Sequence, residues 1–153
     1  MEITKEEFYG ERLVYLEGAI IEITSRLDII RKYRLIHNFR DPIEHYTARI
    51  KSVESMKTKL RKHGLPENAE AVLGNIYDAA GIRVICTYID DVYMVADMLE
   101  SQSDIEVIQT KDYIKNPKES GYRSYHIIVR LPLHVGGDTC ILYTSPSPRD
   151  LST

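Results

Sequence analysis

The sequence predicts an α/β fold, a sheet with helices packed against it, and three observations carry that prediction. Apolar residues recur at spacings of three to five over residues 5–38, the spacing of one helix face. The run Ile82-Arg83-Val84-Ile85-Cys86-Thr87-Tyr88-Ile89 is rich in β-branched side chains with a weak period of two, the mark of a strand. Helical and extended segments interleave along the chain as α-β-α-α-β-α-β-β, a pattern that sets helices against a sheet.

Each element has a local reason. The first helix places Phe8, Leu13, Leu16, Ile20, Ile23, Leu27 and Ile30 on one side, and Asp41-Pro42 ends it, because a residue before proline avoids the helical region. Ile43 to Lys51 reads as a short strand with Ile43, His45, Thr47, Arg49 and Lys51 on one face. Ser52 is the N-cap of a second helix that Gly64 terminates, and a short helix is expected over residues 66–76, after Pro66. Asp90 caps a helix running to about Gln102. Ile105 to about Lys111 is a strand, Lys115 to Gly121 a loop rich in turn residues, and Tyr122 to Leu131 a strand ended by Pro132.

Composition narrows the function. A chain of 153 residues is expected to form one domain, and 43 % apolar with 28 % charged residues is the balance of a soluble globular protein. No apolar run approaches the roughly 20 residues of a membrane span. The start, Met1-Glu2-Ile3-Thr4-Lys5-Glu6-Glu7, is too acidic for a signal peptide. Cys86 and Cys140 have neither metal spacing nor a disulfide framework, which fits a reducing cytoplasm. The net charge of −3 does not advertise a nucleic-acid binder. From Arg49 to His63, however, six basic side chains (Arg49, Lys51, Lys57, Lys59, Arg61, Lys62) face one acid, Glu54. Such a local stretch suits a small anionic ligand, and reads equally as a solvated helix face.

Three constellations carry chemistry. In Asp78-Ala79-Ala80-Gly81-Ile82-Arg83 an acid sits ahead of a strand. Its carboxylate suits Mg²⁺ with substrate phosphates completing the shell, Gly81 permits close backbone approach, and Arg83 can meet a phosphate bidentately. An acid in this position is also a common turn residue. Arg49, Lys51, Ser55, Lys59 and Lys62 form the second group: the last three share a helix face, and the first two point the same way from the preceding strand. Third, residues 111–126 hold a Gly-containing loop flanked by Lys118, Tyr122, Arg123 and His126. It offers cations for phosphates and an aromatic face for a base, where stacking contributes about 1–3 kcal/mol; it reads also as a polar loop entering an amphipathic strand, with Tyr125 or Tyr122 half-buried.

Residues 42–133 resemble the small alarmone synthetases of the RelA/SpoT group. Ala48-Arg49-Ile50-Lys51 is similar to that family's Gly-Arg-Val-Lys strand, and Asp78-Ala79-Ala80-Gly81-Ile82-Arg83 to its Asp-Ile-Ala-Gly-Leu/Ile-Arg. Lys111-Asp112-Tyr113-Ile114, followed by Ser120-Gly121-Tyr122-Arg123-Ser124-Tyr125-His126, is similar to its GTP-side loop. The resemblance implies a nucleotidyltransferase-like mixed five-stranded sheet. It implies transfer of pyrophosphate from ATP to the 3′-hydroxyl of GTP or GDP, with AMP released. Asp78 would ligate Mg²⁺ and act in catalysis with Arg83. Arg49, Lys51, Ser55, Lys59, Lys62 and Arg83 would hold ATP. Lys111, Lys118, Ser120, Tyr122, Arg123 and His126 would serve the acceptor, with Tyr122 stacked on guanine. Ala48 in place of glycine and Ala79 in place of a branched residue remove no ligand.

Nothing after His134 matches the family's next strand, Glu-Ile-Gln-Ile-Arg-Thr, whose glutamate is thought to activate the acceptor hydroxyl. Residues 140–150 are similar instead to the conceptual translation of a transposon-type sequencing adapter, the alternative being a disordered Ser/Pro tail. The expected organisation is therefore an N-terminal helix over 1–41, a partial synthetase domain over 42–139 and an artefactual tail over 140–153. The natural chain would continue differently past about Thr139. The last strand and the C-terminal helices would be missing, leaving an exposed sheet edge and a nearly inactive chain. No His-Asp dipeptide occurs among His37, His45, His63, His126 and His134, so the hydrolase site of some relatives is not expected. The complete parent would be a homo-oligomer, a tetramer by resemblance, with no membrane and no obligatory nucleic-acid partner. Two alternatives stay open: a toxin relative that attaches pyrophosphate to the 3′-end of tRNA, and a non-catalytic guanine-nucleotide-binding module.

Overall fold

The computed structural model describes residues 2–72, 75, 76 and 78–133, and the backbone alone of 134, 135 and 138–150. Helix α1 (Lys5–Tyr9) is capped by the Thr4 side chain and stops at Gly10, whose φ of 58° is a conformation that favours glycine. Helix α2 (Arg12–Ile36) follows. The single helix expected over 5–38 is thus broken at Gly10, because that residue turns the chain before the long helix begins. Its far end also differs: α2 stops at Ile36, with Asn38 at φ 63° closing it several residues before Asp41-Pro42.

Strand β1 (Ile43–Ile50), helix α3 (Val53–Lys62) and strand β2 (Ala80–Cys86) come next. Ser52 caps α3 by accepting from the Ser55 N–H, and Gly64 adopts φ 69° after it, as the sequence predicts. Between α3 and β2 only a 3₁₀ turn, Ala69–Ala71, forms among the described residues where a short helix over 66–76 was expected. Asn68 starts it by accepting the Ala71 N–H. Helix α4 (Ile89–Glu100) begins at Tyr88, and it is Asp91, not Asp90, that reaches back to the Tyr88 N–H. Asp91 is buried and held by both terminal nitrogens of Arg40 at 2.7 and 2.8 Å.

Strands β3 (Glu106–Asp112), β4 (Tyr125–Val135) and β5 (Asp138–Asp150) complete a mixed sheet of order β1-β2-β5-β4-β3. Only β2 and β5 run parallel. Strand β4 passes through Pro132 instead of ending there. Its pairing with β3 finishes at Arg130, so beyond that residue β4 has one neighbour and a proline nitrogen need not donate. The expectation of a missing strand with an exposed edge is also corrected. The backbone of β5 lies between β2 and β4 and pairs with both.

One side of the sheet is covered. Ile82 and Val84 of β2 and Ile127, Val129 and Leu131 of β4 pack with Ile23, Leu27 and Ile30 of α2 and Val92, Val95 and Leu99 of α4. A bulge between Ile43 and His45 puts Ile43 in this core, not on the outer face with Thr47 and Arg49 as the alternation predicts. A second cluster joins Phe8, Tyr9, Leu13 and Leu16 to Met56 and Leu60 of α3 and to Ala79 and Ala80. The opposite side of the sheet carries Arg49 and Thr47, which register against Gly81 and Arg83, and His126, which registers against Lys111. The helices leave this face open. No helix among the described residues is long and apolar enough to cross a membrane.

Candidate functional site

The antiparallel register of β1 and β2 builds the first half of the site. Ile50 pairs with Ala80, so the residues just beyond, Lys51 and Asp78, emerge at the same end of the ladder. Lys51 Nζ lies 3.2 Å from Asp78 Oδ2, and Lys59 Nζ, from α3, lies 2.8 Å from Asp78 Oδ1. Burial pushes the Asp78 carboxyl up, but Lys59 and then Lys51 more than offset it, and the group lies below the usual carboxylate range. Lys51, Ser55, Lys59 and Lys62 line one cleft of about 480 Å³ together with Glu54, Thr58 and His63. Three of these come from one face of α3, as the spacing predicts, while Met56 and Leu60 on its other face are buried.

The second half is the loop between β3 and β4. Asp112 folds its start: Oδ1 accepts the N–H groups of Ile114 and Lys115, and Oδ2 accepts the Tyr93 hydroxyl at 2.7 Å. Gly121, at φ 84°, turns its end and donates to the Lys118 carbonyl. Between these anchors three rings gather. Tyr122 and His126 share a hydrogen bond of 2.9 Å, and Tyr113 stands 5.4 Å from His126 and 6.2 Å from Tyr122, centroid to centroid. Lys118 Nζ sits 4.7 Å from the centre of the Tyr113 ring and 5.4 Å from that of Tyr122. Burial, and then the fields of Lys118, Lys111 and Arg83, hold the His126 pKa below its ordinary value. Lys111, Ser120 and Arg123 are exposed.

The predicted residues thus fall into two groups. Asp78, Lys51, Ser55, Lys59 and Lys62 come together at one end of β1 and β2. Tyr122, His126 and Lys118 come together at the loop after β3. Arg83 projects from β2 onto the open face, near enough to act on His126, while Arg49 lies exposed on the same face of β1. Sequence reasoning assigned no role to Tyr113, although it lies in the Lys111-Asp112-Tyr113-Ile114 block, nor to the Asp112–Tyr93 bond that anchors the loop. Tyr93 is on α4, and only tertiary packing connects it to that motif.

To a magnesium ion Asp78 would offer one hard carboxylate. No cluster of three or more His, Cys, Asp or Glu occurs among the described residues, so an all-protein cage is absent there. Mg²⁺ characteristically takes one or two carboxylates and completes its shell with water and phosphate oxygens. Asp78 Oδ1 is shielded from solvent and faces the Lys59 ammonium at 2.8 Å. A cation arriving with its anion would take the place of a lysine ammonium on this carboxylate.

Residues 48–142 match the family described as the region found in RelA / SpoT proteins. The GTP pyrophosphokinase YwaC of Bacillus subtilis (strain 168) is 38 % identical over 131 residues, which are 85 % of this chain and 61 % of that relative. The chain therefore spans about three fifths of the curated relative's length. Small alarmone synthetase 1 from Bacillus subtilis, solved bound to its product pppGpp, superposes with a TM-score of 0.80 at 33 % identity, covering 92 % of this chain and 72 % of the other. The same synthetase bound to AMPCPP gives 0.74 at 27 % identity, covering 92 % and 69 %.

Proposed function

Because the chain belongs to the RelA/SpoT family, we propose that it is the nucleotide-binding and pyrophosphate-transferring part of a GTP pyrophosphokinase, taking ATP as donor and GTP or GDP as acceptor. The observation that carries this is the Lys51–Asp78–Lys59 triad at the mouth of a cleft lined by Ser55 and Lys62. Relatives bearing the names GTP pyrophosphokinase and small alarmone synthetase, solved with an ATP analogue and with pppGpp, support assigning it to the donor.

In this proposal the 3′-oxygen of the acceptor attacks the β-phosphorus of ATP. The new bond is 3′-O–P, the bond broken joins the β-phosphorus to the oxygen bridging it to the α-phosphate, and AMP leaves with that oxygen. Such transfer depends mainly on in-line positioning and neutralised charge. Lys51, Lys59 and Lys62 neutralise donor phosphates, and Ser55 at the start of α3 adds a hydroxyl where the helix N-terminus favours anions. Asp78 would hold Mg²⁺, which supplies further charge neutralisation when bound. Arg83, on the open face and near enough to act on His126, would meet the transferred group. Tyr113 and Tyr122 form the shelf for guanine, and Lys118 must leave its place over their rings when a base stacks there. Lys111, Ser120, Arg123 and His126 receive the acceptor's phosphates and sugar.

The 3′-hydroxyl proton needs a base, and the strand between β2 and β4, Asp138–Asp150, contains no glutamate. Slow turnover alongside intact nucleotide binding follows. The exposed apolar row Val14, Ile21, Ile29 and Ile36 along α2 supports self-association of the complete protein. The test is transfer of label from γ-labelled ATP to GTP, GDP or tRNA, run beside calorimetric binding of each. Labelled pppGpp or ppGpp, even at low rate, supports the assignment. Labelled tRNA alone would move it to the toxin relatives, and binding without any transfer in the complete gene product to a sensing module.

A further inference from the structure

Tyr9 is wholly buried beneath the donor cleft, and no motif includes it. The break at Gly10 leaves it at the end of α1, where its hydroxyl donates to the Lys51 carbonyl oxygen at 2.6 Å. The N–H of the same Lys51 donates to the Ala79 carbonyl at 2.8 Å. Lys51 lies one residue past the end of β1, where continuing strand structure no longer fixes the backbone. Both of its backbone groups are nevertheless held, one by the residue that follows Asp78 and the other by Tyr9. The ring of Tyr9 belongs to the cluster containing Met56 and Leu60, the buried side of the helix whose open side presents Lys59. One phenol therefore links the backbone of the first lysine on Asp78 to the core that seats the second.

We propose that Tyr9 is a positioning residue for the donor nucleotide: its hydroxyl bond to the Lys51 carbonyl sets the Lys51–Asp78–Lys59 triad at the spacing that ATP with its magnesium requires. The proposal rests on the donor-site assignment above. It differs from a purely structural role, in which a core tyrosine with its hydroxyl satisfied contributes stability alone. Tyr9→Phe separates the two roles because it keeps the ring, including its edge-to-face contact with Phe8 at 5.0 Å, and removes only the donor. Phe8→Leu loosens the same cluster and leaves the hydroxyl bond in place.

The experiment is calorimetric titration of the full chain and both variants with MgATP and, separately, with GDP, beside thermal melts. For Tyr9→Phe the MgATP dissociation constant is expected to rise by about three- to tenfold, the effect of one lost hydrogen bond, while the GDP constant stays within about twofold. Phe8→Leu is expected to lower the melting temperature and leave MgATP binding unchanged. Unchanged MgATP binding in Tyr9→Phe overturns the proposal, as does equal weakening of both nucleotides, or a loss in Phe8→Leu that matches it. Failure of the unaltered chain to bind MgATP at all overturns the donor-site assignment itself, and the role of Tyr9 falls with it.

Discussion

Asp78→Asn is expected to shrink the advantage that magnesium gives to ATP binding at little cost in stability. The carboxylate holds two ammonium groups at 2.8 and 3.2 Å. In bulk water Coulomb's law gives about 1–1.5 kcal/mol for each such pair. Asp78 is 41 % exposed and Lys59 36 %, so screening keeps the contribution near the range measured for surface pairs, about 0–1 kcal/mol each. Desolvation of the carboxylate offsets part of that sum. Losing both pairs should therefore cost about 1 kcal/mol, roughly 3 °C for a domain of this size. The same carboxylate repels phosphates when no metal is present. In the unaltered chain ATP should bind more weakly in EDTA than with Mg²⁺. In Asp78→Asn the two lysines are freed, so metal-free ATP should bind better than it does to the unaltered chain, while the advantage given by Mg²⁺ falls by about tenfold or more. Titration of ATP with and without Mg²⁺ into both proteins measures this. An unchanged Mg²⁺ advantage in Asp78→Asn would refute the metal assignment, and a collapse of the fold would refute the stability estimate. The pH dependence has a fixed sign: the Asp78 pKa is lowered in the folded state, so its contribution is complete above the unfolded value, about 3.9, and is lost as pH falls through the folded value.

Two further expectations concern the acceptor loop. His126 has a lowered pKa in the free protein, so it is neutral at pH 7 and its neutrality favours the fold, a contribution lost as pH drops below about 6.5 through the folded value. Acceptor phosphates would raise that pKa, so GDP binding near pH 6 should take up a proton. Calorimetry in buffers of different ionisation enthalpy detects the uptake, and His126→Gln should abolish it; uptake that persists in His126→Gln places the proton elsewhere. Tyr93→Phe removes the 2.7 Å bond to Asp112 and should weaken GDP binding by about three- to tenfold with MgATP binding unchanged. Equal binding of GDP to both proteins would show that the Asp112 turn holds without α4.

The parts of this molecule legible in its sequence are those where one local rule acts alone. Ser52 and Gly64 bound α3 because capping and the left-handed turn are decided within a few residues. Ser55, Lys59 and Lys62 share a cleft because helical spacing fixes a face. Where distant partners decide, the local reading failed. The bulge at Ile43 and His45 answers to packing against Ile82 and Val84, and Asp91 outdid Asp90 because Arg40, about fifty residues away, pairs with it. Gly10 was hidden inside an unbroken apolar periodicity, and with it went the turn that sends Tyr9 beneath Lys51. The strand β5 is the clearest case. Two prolines argue against a central strand, yet this segment lies extended between β2 and β4.

The proposed meeting of a donor and an acceptor nucleotide is tested most directly by hydrogen exchange with each ligand alone. AMPCPP with Mg²⁺ should protect amides in residues 49–62 and 78–83, and GDP should protect residues 111–126. Both ligands together should protect both sets and slow exchange further around Arg83. Protection of the same segment by both nucleotides, or competition between them for one site, would contradict it.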